Sequence, residues 1–166
     1  MSEKTEKNLA YAFSAESKAT TRNAAFALKA EEESFPQIAR LFRAVSEAES
    51  VHALRFLNLM RGKIGSTEEN LEAAFNSEIK ANAEEYPRLI SEAVEEGMEA
   101  VERAFSHARD VESRHAELYK EAMNAMIGDR KIEYYVCQVC GYISEGSAPE
   151  NCPVCSAVKE KFRKVD

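Results

Sequence analysis

The segment VSEAESVHAL (45–54) places Glu49 and His52 one helical turn apart on a stripe that is otherwise apolar, and ARDVESRHAEL (108–118) repeats this with Glu112 and His115. A helix that buries such a stripe buries a carboxylate and an imidazole with it. Leaving one of them unpaired costs on the order of several kcal/mol. Two earlier segments carry the same anomaly in simpler form. Steps of three and four residues run through Leu9, Phe13, Glu16, Thr20, Asn23 and Ala27, and through Leu71, Phe75, Glu78, Asn82, Glu85 and Leu89. Around the two pairs the stripes run through Ile38, Leu41, Val45, Glu49, His52, Phe56 and Leu59, and through Val101, Phe105, Ala108, Glu112, His115, Tyr119, Ala122 and Met126, so each of the four has a glutamate near its middle. One such residue alone would pass for a partly exposed side chain on a loosely read stripe; six at matched positions argue against that.

Charge balance says what they could do together. Four carboxylates in one core repel, and two divalent cations neutralise them. Carboxylate and imidazole donors suit iron or manganese. One glutamate from each of two helices, with Glu-x-x-His from each of the other two, is the ligand pattern of di-iron and di-manganese carboxylate bundles. On that geometry Glu49 and Glu112 bridge the metals, Glu16 and Glu78 are terminal ligands, and His52 and His115 bind one metal each. His107 has no partner at matching spacing and reads as surface or packing. Glu31, Glu32 and Glu33 read as a solvated helix end.

A second metal site is written in the cysteines. All four lie in CQVC (137–140) and CPVC (152–155), two Cys-x-x-Cys hooks that together make a tetrahedral cage of thiolates, Cys137, Cys140, Cys152 and Cys155. The hooks alone leave zinc and iron open. Gly141 supplies a turn whose backbone N–H groups can face sulfur, and Tyr135, Tyr142 and Phe162 suit a small core.

The elements that must position these residues follow from composition and punctuation. Ala, Glu, Leu and Lys dominate residues 1–127, which predicts helices over 4–32, 36–61, 67–96 and from Gly97 to about 127. Ser34 with Gln37, and Ser66 with Glu69, offer capping boxes; Pro36 suits a first turn, and Gly97 a helix end. Pro87 should kink or locally open the third helix without ending it, because apolar spacing continues to Leu89. The halves repeat: Glu16 precedes Glu49 by 33 residues and Glu78 precedes Glu112 by 34. Each half therefore reads as a helical hairpin. After MIGDRK the texture changes to short runs rich in tyrosine, glycine and cysteine. This predicts a linker over 128–133 and a separate, non-helical metal-binding module over 134–166.

Bulk properties exclude several functions. A net charge of −7 disfavours nucleic acid and anionic membranes as partners. No apolar run is long enough to span a bilayer. The N-terminal MSEKTEKNLAYAF lacks the features of an export signal, so the expected location is the cytoplasm, where clustered cysteines bind metal more often than they form disulfides.

With both sites in view the chain resembles rubrerythrin over nearly its whole length. The resemblance rests on AFSAES around Glu16, EAESVHA around Glu49, Glu78 followed nine residues later by Pro87, ESRHAELY around Glu112, and CQVCGY…APENCPVC. It implies an all-α, four-helix, ferritin-like bundle with a non-haem di-iron centre over 1–127, and a small rubredoxin-like β module with one iron in four thiolates over 134–166. It also implies an NADH-linked peroxidase, an oxidoreductase reducing hydrogen peroxide to water in oxidative-stress defence. Electrons would come from an external donor, a reductase or rubredoxin, through the thiolate-bound iron. Tyr86 matches a family tyrosine near the site. Two positions depart from the family pattern. Ala81 stands where a further glutamate is usual, which implies that His52 stays bound throughout in a symmetric six-ligand site; Glu84 and Glu85 are the nearest substitutes. Asn23 stands in place of a tyrosine.

Such bundles run their second and third helices parallel, so the link between them must climb the length of the bundle. From Glu49 and Glu78 that climb is about 34 Å, whereas residues 62–66 fully extended span about 17 Å. This predicts a homodimer in which the first hairpin of one chain pairs with the second hairpin of another. Two other functions remain to be weighed: ferrous oxidation or oxygen scavenging, which Ala81 favours, and a non-enzymatic helical interaction protein with a structural zinc ribbon.

Overall fold

The computed structural model describes residues 1–125 and 132–166. Residues 126 and 127, and 128–131 of the expected 128–133 linker, fall outside them. The described chain forms two compact units, Met1–Gly65 and Ser66–Asp166. Among the described residues no helix is long and apolar enough to cross a membrane.

The first unit is a hairpin of α1 (Glu3–Glu32) and α2 (Pro36–Leu59). Ser2 caps α1 by accepting from the Thr5 N–H, and Glu3 and Glu6 in the first turn complement the helix dipole. The contact between the helices is built on small side chains. Ala19, Ala27 and Ala30 of α1 and Ala39 and Ala53 of α2 are buried, and the Ser46 hydroxyl donates to the Thr20 carbonyl at 2.8 Å. Phe26 and Phe42 close one end edge to face, with centroids 5.4 Å apart. Because alanines and a serine carry the intra-hairpin contact, the larger apolar residues are left outside it. Ile38, Leu41 and Leu59, all on the expected α2 stripe, are exposed, as are Val51 and Leu54. That stripe therefore borders the α1 contact and is not its centre.

The turn between the helices corrects one expectation. Ser34 and Gln37 form no capping box, and Phe35 is the N-cap of α2 without a side-chain bond. Ser34 instead lies at φ +64°, with its N–H bonded to the Glu31 carbonyl and the Phe35 N–H to that of Ala30. This ends α1 in a Schellman motif, so the residue serves the helix behind it. Pro36 takes the first turn of α2, as expected.

The second unit holds α3 (Thr67–Lys80), a π-helical turn (Ala81–Glu85), α4 (Tyr86–Glu95) and α5 (Glu99–Ala125), followed by the cysteine module. The expected Ser66–Glu69 capping box is present in both directions. The single helix expected over 67–96 is interrupted by the π turn. Pro87 has no N–H to give to the carbonyl four residues back, and the Tyr86 N–H reaches Ala81. Asn82, within that turn, ties it to α5 by donating to the Arg109 carbonyl at 2.7 Å.

Gly97 ends α4 at φ +69°, with Gly97 N–H bonded to Val94 and Met98 N–H to Ala93. A Cβ there would meet no atom within 4 Å, so the backbone conformation alone decides the effect of a side chain. Gly97→Ala is expected to destabilise the protein by about 1–2 kcal/mol, read as a lowered thermal unfolding midpoint; an unchanged midpoint would show that the turn relaxes.

The C-terminal module is a three-stranded antiparallel sheet in the order β2 (Ile143–Glu145), β1 (Tyr134–Cys137), β3 (Phe162–Val165). Cys137 lies opposite Phe162 in the register. Tyr135, Tyr142 and Phe162 are half-buried. So small a sheet encloses little apolar volume, and its buried residues include Cys137 and Cys152 themselves.

Candidate metal centres

The residues singled out by spacing gather into three clusters, each with its donor atoms within 4.8 Å of one another: Glu16, Glu49 and His52; Glu78, Glu112 and His115; and the four cysteines. The first two are the same half-site on two hairpins. His107 joins none of the clusters found among the described residues.

In the first half-site His52 Nδ1 lies 3.0 Å from Glu49 and 4.0 Å from Glu16. A hydrogen bond to Glu49 raises the Glu16 carboxyl above its ordinary value; burial and the charge of Glu49 add to the rise, and His52 opposes it. Two carboxyl groups thus face each other where a cation would relieve their repulsion. The His52 side chain is 55% exposed, so the hairpin alone leaves this half-site open.

The second half-site is deeper. Burial, then a hydrogen bond to Glu112, then the repulsion of its charge push Glu78 up to about 8. His115 Nδ1 is 3.1 Å from a Glu112 oxygen, and its Nε2 is 3.2 Å from the Gly141 carbonyl. A carbonyl only accepts, so Nε2 carries the hydrogen. In the neutral ring the Nδ1 lone pair then faces a carboxylate lone pair, an arrangement that calls for a cation or a proton between them. Metal-binding histidines characteristically donate their second N–H to a carbonyl or carboxylate in this way. The donor set therefore fits a divalent metal.

Two tyrosines complete this half-site. Tyr86 is raised by burial, by the charges of Glu112 and Glu78, and by its hydrogen bond to Glu112. Tyr119 is raised by burial and by both carboxylates. Tyr119 was legible only as an apolar-stripe residue; its spacing of four from His115 was the available signal. Glu84 and Glu85 are exposed, and Glu85 pairs with Lys80 at 3.5 Å. Neither supplies the carboxylate missing at Ala81. The Asn23 amide donates to the Ala19 carbonyl of its own helix.

The Glu78 shift gives a pH test. In the metal-free protein the folded chain holds this proton up to about pH 8, whereas an unfolded glutamic acid releases it near 4.5. Between those values the folded state binds the extra proton, so this contribution to stability is full below pH 4.5 and is lost as pH rises through 8. Chelator-treated protein is expected to unfold at falling temperature across that window, with Glu78→Gln flattening the trend. Equal slopes for the two proteins would contradict the assignment.

The cysteine sulfurs pair at 3.7 Å (Cys137–Cys155) and 3.6 Å (Cys140–Cys152). A tetrahedron with metal–sulfur bonds of ~2.3 Å has edges of ~3.8 Å, so the cage has the size of a tetrathiolate metal site. Each hook ends on a left-handed residue, Gly141 at φ +85° and Ser156 at φ +60°. The Gly141 N–H bonds the Cys137 carbonyl, as the Ser156 N–H bonds that of Cys152. The N–H groups that face sulfur belong to Val139 and Cys140 (on Cys137), Tyr142 (on Cys140) and Ala157 (on Cys155). Burial pushes all three of these thiols up; for Cys137 the hydrogen bonds outweigh it and the net shift is downward.

Comparison with known proteins agrees with this anatomy. The Rubrerythrin family model matches residues 7–123, and the model for the rubredoxin-like domain of rubrerythrin matches residues 135–163. Nigerythrin of Nitratidesulfovibrio vulgaris is 34% identical, over 95% of this chain and 85% of its own. Rubrerythrin of Porphyromonas gingivalis is 34% identical, over 98% and 90%. A solved structure of mixed-valence nigerythrin superposes with a TM-score of 0.59 at 33% identity, covering 97% of this chain and 86% of that one. The fold is that of a ferritin-like bundle with a rubredoxin-like module. The cofactors are a non-haem di-iron centre and a four-cysteine iron, which sets aside the zinc ribbon. On its two family matches, its relatives and its paired carboxylate–histidine clusters, this chain belongs to the rubrerythrin family.

Proposed function

We propose that the chain is a peroxidase that reduces hydrogen peroxide to water: Glu16, Glu49, His52, Glu78, Glu112 and His115 would hold an iron pair, and Cys137, Cys140, Cys152 and Cys155 would hold an iron that passes on electrons from an external reductant. The family consists generally of di-iron oxidative-stress proteins, and the finer reading rests on one observation. His115 joins both centres, its Nδ1 in the carboxylate cluster and its Nε2 on the carbonyl of Gly141, next to Cys140. When bound, a ferrous pair supplies the two electrons that cleavage of one O–O bond consumes.

The chain's own groups serve the protons. Glu78 holds one beside Glu112 that metal binding would displace, and the Tyr86 hydroxyl is bonded to Glu112. An apolar cavity of about 360 Å³, lined by Leu71, His115, Tyr119, Tyr134, Val136 and Val165 among others, suits a small uncharged oxidant. Residues 1–127 then read as the bundle sequence and 134–166 as the electron-transfer module. A cytoplasmic location, with cysteines committed to metal in a reducing compartment, completes the reading.

The iron pair further requires two copies of the chain. From Glu49 to Leu59 and from Thr67 to Glu78 the helices rise about 15 Å and about 16 Å, while the eight steps from Leu59 to Thr67 span about 27 Å even when fully extended. Gly62 at φ +66° shortens that span further. With parallel second and third helices the link falls short. A domain-swapped dimer, in which each centre takes one hairpin from each chain, relieves this and covers the apolar stripe left exposed on α2.

Titration of anaerobically reduced protein tests the activity. One equivalent of peroxide per iron pair is expected to oxidise the bundle iron; no oxidation would overturn the reading. Ala81, with no carboxylate in its place, favours a second reading, ferrous oxidation or oxygen scavenging. Faster reaction with oxygen than with peroxide would select it.

A further inference from the structure

We propose that Arg114 is a positioning residue, a latch that holds the cysteine module on α5 and thereby keeps Gly141 against His115. The inference rests on the electron-relay reading above. Arg114 stands one residue before His115, and its guanidinium spans the joint. Nη2 is 2.9 Å from Glu145, and Nε is 3.5 Å from the Ile143 carbonyl, both on β2. On its own helix, Glu117 at 3.2 Å and Glu121 at 3.6 Å hold Nη1.

Two carboxylates on its own helix, Glu117 and Glu121, aim the fork, and Glu145 of the module completes its partners. Both ends of the joint are sheltered, with Arg114 20% and Glu145 29% exposed, so this pair is screened less than a surface ion pair. Strand β2 begins two residues after Gly141, so Arg114 grips the strand while His115 grips the loop before it. A Cβ added to Gly141 would lie 3.7 Å from Val111, at ordinary van der Waals contact, so the loop lies directly against the helix. The His115–Gly141 bond is a single long contact to a neutral carbonyl. The charge-assisted Arg114–Glu145 bond is the stronger of the two and sets the orientation in which the other forms.

Each docking event moves one electron: the thiolate-bound iron goes from ferrous to ferric, and one bundle iron from ferric to ferrous. The test uses iron-loaded protein reduced with dithionite, desalted and mixed with one equivalent of peroxide per iron pair. In wild type the thiolate iron is expected to redden after the bundle iron is oxidised. In Arg114→Ala that second phase is expected to slow at least tenfold, with the first phase and the final visible spectrum unchanged. Glu145→Gln should slow it in the same sense, and the double variant should be no slower than Arg114→Ala alone. Hydrogen exchange on the same loaded proteins supplies an arm independent of turnover: amides of residues 143–145 should exchange at least tenfold faster in Arg114→Ala, with the cysteine-hook amides, those of Gly141 and Tyr142 included, protected as before. Unchanged exchange, or additive effects in the double variant, would overturn the latch. If wild type itself never reddens, the peroxidase reading falls, and the exchange result decides the latch alone.

Discussion

Chains carrying Glu49→Ala and chains carrying Glu112→Ala are each expected to lose the bundle iron, yet unfolded together and refolded at equal amounts they should recover about a quarter of the wild-type iron pairs. Each variant removes a proposed bridging ligand, so each homodimer has two defective centres. Losing a supporting partner typically costs a metal site 10–100-fold in affinity, and losing a bridge should cost at least ~100-fold. In a mixed, swapped dimer one centre collects both defects and the other collects none. Random assortment makes half the dimers mixed, and half of their centres are sound, which gives the quarter. Without a swap every chain keeps its own broken centre and the mixture stays as iron-poor as its parents. Iron analysis after gel filtration separates the outcomes.

Cys152→Ser is the second large effect. The module's sheet is three short strands, and the buried side chains within it are those of Cys137 and Cys152. Metal binding to such a site is folding free energy, on the order of 10 kcal/mol for small thiolate modules. The variant is therefore expected to lose the visible thiolate–iron band and hydrogen-exchange protection over 134–137 and 162–165. Steady-state peroxide reduction should drop to background, because the refilling route is gone. The first turnover should survive: pre-reduced bundle iron should still be oxidised by one equivalent of peroxide at the wild-type rate. A variant that loses this first turnover as well would show that the two centres are not separable in the way proposed.

Both half-sites and the thiolate cage were legible because their residues break a pattern. Glu16, Glu49, Glu78 and Glu112 interrupt apolar stripes, where an uncompensated carboxylate is costly, and all four are half-buried in the structure. The cysteine hooks announce themselves by local spacing, and the cage geometry follows. What escaped the sequence depends on choices that one-dimensional spacing does not record. Ser34 had two helices to serve, and the left-handed end of α1 claimed it. Pro87 signals one missing N–H, but not that the Tyr86 N–H reaches back to Ala81 in a π turn, nor that Asn82 within that turn is tied to α5, 27 residues away in sequence. The α2 stripe was read from its large residues, whereas the hairpin contact selected Ala39 and Ala53, since small side chains let helices approach. Arg114 and Tyr119 gain their meaning from groups 31 residues away in sequence or on another helix.

Iron stoichiometry combined with Mössbauer spectroscopy of the fully oxidised protein tests the central claim most directly. The account predicts about three irons per chain, two in a magnetically coupled ferric pair with oxygen and nitrogen donors and one in a tetrahedral thiolate site. One thiolate iron per chain, with no coupled pair after loading with excess ferrous ion, would contradict it.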